Sequence, residues 1–140
     1  MCGSQAKTCE GARSQEKEAR MQFEDLKAWQ KARELTNGIY RICQAPLLKN
    51  DFGLRDQLQR AAVSAMANLA EGFERTGPGE KLQFWNVARA STGELKSLLY
   101  VVHDNQLAET AAVQNLQALA IEVSALTQGL INSFNKHKPD

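Results

Sequence analysis

The polar residues that could take part in chemistry lie on one predicted helix, which starts after Asn50 or Asp51 and ends near Arg75. Six of them recur at intervals of three and four residues and share about 80° of the helix circumference. We call this set the polar stripe: Gln57, Arg60, Ser64, Asn68, Glu71 and Arg75. Arginine, asparagine, serine and glutamate suit phosphate or carbonyl chemistry, so the polar stripe is the first candidate for an active site.

The composition of the polar stripe argues against catalysis. Ser64, and Ser91 farther along the chain, have no histidine, aspartate or lysine on the stripe that could activate a hydroxyl. Glu71 and Glu94 could be paired carboxylates for acid–base chemistry or for two metal ions. Di-metal sites in helix bundles, however, use Glu-x-x-His pairs, which this sequence lacks. We therefore predict no catalytic, metal or cofactor site and no enzymatic activity.

A structural network is the preferred interpretation of the polar stripe. Polar groups that face a protein interior must be paired, and the next predicted helix supplies Ser91 in its apolar face and Glu94 at the edge of that face. The expected pairs are Arg60 with Glu94 or Glu71, and Asn68 with Ser91. The predicted network has eight members: Gln57, Arg60, Ser64, Asn68, Glu71, Arg75, Ser91 and Glu94.

Four segments with helical periodicity must position these residues. Pro46 ends the first segment and Gly77-Pro78-Gly79 separates the second from the third. No strand pattern competes, so the sequence predicts an all-α protein, an antiparallel up-down four-helix bundle. The predicted helices are 24–44, 51–75, 79–103 and 110–134. They form one domain over residues 22–135, between a disordered tail of residues 1–21 and a frayed tail of residues 136–140.

Two of the predicted helices are apolar over more of their surface than a monomeric bundle needs. The first has an apolar arc of about 200°, roughly twice the minimum stripe, with Leu26, Trp29 and Tyr40 at its edges. The second is apolar on both sides of the polar stripe, the far side consisting of Val63, Met66, Ala67 and Ala70. We predict that another copy of the chain covers these residues. The alternative is an alanine-rich surface that is only mildly apolar.

Charge and cysteine content restrict the classes of function. The 140 residues carry a formal net charge of +1, so no large basic field indicates nucleic acid or an anionic membrane. Cys2, Cys9 and Cys43 do not form a disulfide framework, and no apolar run approaches the roughly 18 residues that span a bilayer. Reduced thiols in the cytoplasm are the expectation.

One small basic patch is the candidate nucleic-acid contact. Lys27, Lys31 and Arg41 share a face of the first predicted helix, with Glu34 among them. The alternative interpretation is an ordinary solvated face. In a ring of several subunits the patch would be repeated, so that a weak contact could act through multivalency.

Three motifs resemble a known protein family. The run QLQRAAVSAMANLAEGF at 57–73, the opening FEDLKAWQKA at 23–32 and the later ARASTGEL at 88–95 are similar to landmarks of a bacterial four-helix bundle family. That family was first named for proteins encoded in intervening sequences of large-subunit ribosomal RNA genes. Ala90 stands where the family usually has glycine, and Ala65-Met66-Ala67 replaces a more typical isoleucine-proline pair.

The resemblance implies an assembly and a set of partners. It implies a barrel-like homopentamer, so the first expected partner is the chain itself. The family includes the accessory variability determinant of diversity-generating retroelements, which makes RNA or DNA and a reverse transcriptase the other candidate partners. The predicted function is a non-enzymatic homo-oligomeric scaffold or adaptor for nucleic acid or a nucleic-acid enzyme. The alternative is a purely protein-binding or structural assembly.

Overall fold

The computed structural model describes residues 21–136, which contain helices and no strand. A short 3-10 turn, Phe23–Asp25, comes first. The helices that follow are α1 (Lys27–Ile42), α2 (Pro46–Lys49), α3 (Phe52–Glu74), α4 (Pro78–Asp104) and α5 (Thr110–Lys136). The two predicted tails lie outside the described residues except for Met21 and Lys136, and α5 continues to Lys136. Within the described range, no helix has the length and apolar character needed to cross a membrane.

The four long helices form a closed cycle of neighbours. α1 packs against α3 and α5, and α4 packs against the same two helices. Neighbours run antiparallel, because contacting residue numbers rise on one helix as they fall on the other: Ser64 bonds to Ser91, while Arg60 pairs with Glu94. The architecture is therefore the predicted up-down bundle, with α2 as an added turn between α1 and α3.

The core is mainly aliphatic, and three threonines lie inside it. Thr36, Thr92 and Thr127 are buried, and each donates a hydrogen bond of 2.8 Å to the backbone carbonyl four residues earlier in its own helix. Thr36 Oγ1 also lies 3.1 Å from the Ala62 carbonyl oxygen of α3. No buried side-chain nitrogen or oxygen in the described residues lacks a partner. The core therefore carries no unpaired polar group that would indicate a buried site.

Local signals explain the ends of the helices. Of the two residues that the sequence offered for the start of α3, Asn50 and Asp51, it is Asp51 that caps the helix: its Oδ1 accepts a hydrogen bond of 3.2 Å from the Leu54 amide. α1 begins later than predicted, at Lys27, because Leu26 has extended backbone geometry between the 3-10 turn and the helix. Leu26 is buried, and so is Trp29, which meets the ring of Phe23 edge-on at 5.0 Å. Leu26 and Trp29, which lie at the edges of the apolar arc of the first predicted helix, are therefore covered by other residues of the same chain.

An aromatic corner joins the end of α3 to the start of α4. The buried Trp85 indole donates from Nε1 to the Leu69 carbonyl at 3.3 Å and lies directly against Gly72. Lys81 Nζ donates to the Phe73 carbonyl at 2.7 Å and to the Gly72 carbonyl at 3.3 Å, which satisfies the open end of α3. Burial lowers the pKa of this amino group.

Cys43 is the one cysteine within the described residues, and it is buried and free. Burial raises the pKa of its thiol, which keeps the group protonated and unreactive near neutral pH. Cys2 and Cys9 lie outside the described residues.

Candidate functional site

The polar stripe lies along the junction of α3 and α4, and its first pair is accessible to water. Arg60 donates from Nη2 to Glu94 Oε1 at 3.0 Å, one of the two pairings that the sequence allowed for this arginine. The side chains are 65% and 39% exposed. An ion pair this exposed contributes at most about 1 kcal/mol to stability, so it aligns the helices more than it stabilises them.

The middle of the polar stripe is half-buried and more tightly bonded. The hydroxyl groups of Ser64 and Ser91 are 2.8 Å apart across the junction. Asn68 donates its amide to the Ser64 carbonyl at 2.8 Å and to the Ser64 hydroxyl at 3.1 Å. Asn68 therefore reaches Ser91 through Ser64, and not directly as the sequence suggested.

The last part of the polar stripe is exposed. Glu71 pairs with Arg75 at 3.2 Å along the same helix, and the Arg75 guanidinium lies over the Phe84 ring at 4.9 Å. Gln57, at the opposite end, is exposed. The stripe thus faces the outside of the α3–α4 junction, and only Ser64, Asn68, Ser91 and Glu94 of the eight predicted residues are partly buried.

The bonding pattern leaves little chemistry available. The partners of the Ser64 hydroxyl are a second hydroxyl and an amide, and neither group is a base that could activate it for nucleophilic attack. Within residues 21–136, no three histidine, cysteine, aspartate or glutamate side chains are grouped so that they could hold a metal ion. The polar groups of the junction are engaged mainly with one another.

An exposed surface of three apolar residues and one aspartate runs beside the polar stripe on α3. We call it the outer ridge and define it as Phe52, Asp56, Val63 and Ala67, all exposed. Phe52 is 62% exposed and Val63 43%, although both are large hydrophobic residues. The Arg55 guanidinium lies 4.9 Å from the centre of the Phe52 ring and helps to hold it in place. Met66 and Ala70, which the sequence grouped with this side, are half-buried.

A concave groove lies between α1 and α5, and the sequence did not predict it. Its wide end has a volume of about 600 Å³, and its rim carries Arg41 and Glu109. The groove continues toward the middle of the bundle as a second hollow of about 380 Å³ that includes Ala118 and Leu119. We call the two hollows together the α1–α5 groove. The other residues of the wide end are Gly38, Ile42, Gln44, Ala45, Ala108, Ala112, Asn115 and Leu116.

Small residues account for the groove. Gly38 faces α5 at a point where any larger side chain would overlap Leu116, so Leu116 lies close against α1. Ala45, Ala108 and Ala112 leave space above it. The only sequence signal was Gly38, which helical periodicity places among the charged residues of α1 and outside its apolar arc. A glycine at that position does not reveal where the opposite wall lies.

The basic patch lies along the same groove and is partly neutralised. Lys31 Nζ is 3.5 Å from Glu34 and 3.8 Å from Glu122 of α5. Lys27 and Arg41 are exposed. The structure therefore brings two of the three predicted cations to the surface without bringing all three together as free charges.

Comparisons with known proteins agree with the three motifs. A family model described as 23S rRNA-intervening sequence protein matches residues 24–129. The chain is also similar to a solved structure of a protein with unknown function from the S23 ribosomal protein family of Bacteroides thetaiotaomicron. Identity is 16% and the TM-score 0.69, over 74% of this chain and 97% of that chain, a likeness that shows the fold alone. No curated protein matches the chain.

Proposed function

The chain belongs to the 23S rRNA-intervening sequence protein family, as its motifs predicted, and from this premise we propose that it is a non-enzymatic, homo-oligomeric scaffold. Its role is to assemble copies of itself and to present their outer faces to a partner. The family name states where such genes lie and gives no reaction. The proposal therefore depends on the surface of this chain.

The outer ridge is the observation that carries the proposal. A monomer leaves 62% of Phe52 and 43% of Val63 exposed to water. Scattered exposed hydrophobic residues are normal in proteins, but these occupy one side of one helix together with Ala67. Burying them against another copy gains about 25 cal/mol for each Å² of apolar surface removed from water. The polar stripe, whose groups bond to one another, supports a structural role over catalysis.

We expect the purified chain to be larger than a monomer in solution. Size-exclusion chromatography coupled to light scattering should give a mass several times 15.5 kDa at micromolar concentration, and five copies is the number that the family resemblance implies. The mass should be insensitive to moderate salt, because the proposed contact is mainly apolar. A single species at the mass of one chain would contradict the proposal.

Nucleic-acid binding is the second candidate function, and the exposed Lys27 and Arg41 favour it. One copy offers too few cations for useful affinity, but a ring repeats them. Against it stand the ion pairs of Lys31 with Glu34 and Glu122 and the formal net charge of +1. Protein binding is therefore the preferred role of the assembled faces.

The nucleic-acid candidate predicts weak, salt-sensitive binding that is independent of sequence. Fluorescence anisotropy with labelled RNA and DNA should show binding at low salt that is largely lost near about 0.2 M, because each neutralised phosphate releases counterions. The triple variant Lys27→Gln, Lys31→Gln, Arg41→Gln should abolish it.

Two further variants make the result specific. The single variant Lys27→Gln leaves Lys31 and Arg41, which line the groove, unchanged and should weaken binding without changing the mass of the assembly. A control on another side of the bundle, Lys96→Gln, removes the same number of charges and should bind as wild type does. Equal binding by the triple variant would rule out this patch as the contact.

A further inference from the structure

We propose that the outer ridge of one copy packs into the α1–α5 groove of the next copy, at the same height along the bundle, and that repetition of this contact closes a ring. The inference rests on the proposed function, because it requires self-assembly. It adds the two surfaces that meet. Phe52 enters the wide end of the groove, and Val63 lies along its continuation.

Contacts inside one copy show which residues of different helices lie at the same height along the bundle axis. Thr36 of α1 bonds to Ala62 of α3, and Gly38 of α1 touches Leu116 of α5. Phe52 precedes Ala62 by ten residues, a rise of about 15 Å at 1.5 Å per residue. The same rise from Thr36 reaches the end of α1 and the region of Ala45, which lines the wide end of the groove.

Two more ridge residues match the groove at the same register. Val63 lies one residue past Ala62, at the height of Leu35 on α1 and therefore of Leu119, which lines the continuation of the groove. Asp56 lies six residues before Ala62, at the height of Ile42, beside Arg41 on the groove rim. A carboxylate thus comes level with a guanidinium, and the apolar residues come level with the hollows.

Equal heights are what cyclic symmetry requires. In a ring whose axis runs along the bundles, rotation moves each residue around the axis and leaves its height unchanged. A ridge and a groove at different heights could not meet in such a ring, whereas these two surfaces can. The wide end, at about 600 Å³, is large enough for a phenylalanine side chain with its neighbours.

The contact is heterologous, because α3 contributes the ridge and does not line the groove. Each copy therefore offers one ridge and one groove at different places on its circumference, an arrangement that produces rings when the rotation closes. A two-fold dimer would use a single self-complementary surface. This difference provides the experimental test.

Three variants separate the two surfaces. The ridge variant, Phe52→Asp with Val63→Asp, places charge on two exposed positions. The groove variant, Asn115→Trp, fills the groove from an exposed position on its wall. The control, Ile121→Asp, changes a residue that is 58% exposed on α5 outside the groove lining. We expect both surface variants to fall to the mass of one chain by light scattering, and the control to keep the mass of wild type.

Mixing the two defective variants gives the decisive result. The ridge variant keeps an intact groove and the groove variant keeps an intact ridge, so one productive contact can form and no further copy can be added. The mixture should therefore have twice the mass of one chain. Monomers or complete rings in the mixture would overturn the inference. Circular dichroism of each variant should match wild type, because all the altered positions are exposed.

The charge match provides an independent measurement. Asp56→Arg and Arg41→Asp should each weaken assembly, seen as dissociation at a higher protein concentration than wild type, and the double variant should recover it. Failure of the double variant to recover would contradict the proposed register. A monomeric wild-type chain would instead defeat the proposed function itself. An oligomeric wild type whose ridge variant still assembles would defeat only this inference.

Discussion

Gly72→Ala should destabilise the bundle by about 3 kcal/mol, a large effect for a single methyl group. A Cβ atom at this position would overlap the Trp85 indole at Nε1 and Cδ1. The ring cannot easily move away, because it donates to the Leu69 carbonyl and meets the Phe134 ring edge-on at 5.6 Å. Thermal and urea unfolding followed by circular dichroism measures the loss.

Gly93→Ala is the matched control for this prediction. Gly93 lies within α4, and a Cβ atom there meets open space. Alanine favours a helix over glycine by about 0.8–1 kcal/mol, so this variant should be more stable than wild type. Equal stability of Gly72→Ala and wild type would show that the corner is more adaptable than its packing indicates.

Ala88→Leu should cost about 2–3 kcal/mol, because it adds three heavy atoms where no space is available. Ala88 is fully buried on α4, the helix that makes its most extensive contact with α3. On α3, Ala61 and Ala65 are buried as well. These small residues let the two helix axes approach closely, which in turn brings Ser64 and Ser91 within hydrogen-bonding distance.

Ala90→Leu, two residues along the same helix, is the control for Ala88→Leu. Ala90 is exposed, and alanine and leucine both favour helices, so the free energy of unfolding should change by less than about 0.5 kcal/mol. Denaturant unfolding of the two variants in parallel isolates the effect of packing. If both variants lost a similar amount of stability, the leucine would be destabilising α4 itself and not its packing against α3.

The sequence predicted the number, order and approximate limits of the long helices, because their signals are local. Asp51 caps α3, and Pro46 and Pro78 stand at the first position of α2 and α4. Predictions that depended on angle around a helix were less accurate. Helical periodicity alone places Val87 on the apolar face of α4 and Trp85 at its margin, but Val87 is 42% exposed and Trp85 is buried. The Trp85 ring fills the space above Gly72 of α3. A helical wheel of α4 alone cannot show that space.

The sequence also predicted part of the candidate site. The Arg60–Glu94 pair follows from two charged residues on helices that were expected to be neighbours, and the structure contains it. The depth of the polar stripe did not follow, because exposure depends on the angle between two packed helices. The sequence could not predict the α1–α5 groove, since the walls of the groove come from segments about seventy residues apart in the chain.

The separation of the two groove walls also sets an order of events during synthesis. α1 emerges from the ribosome first and α5 last, so a growing chain has no groove until its final helix has been made. The ridge on α3 is complete much earlier, and domains commonly begin to fold during synthesis. If the ridge binds the groove as proposed, an unfinished chain can bind through its ridge to the groove of a completed copy. It has no groove of its own to bind the ridge of another copy. Assembly before release then requires a completed copy that offers its groove, and copies are added in a single direction.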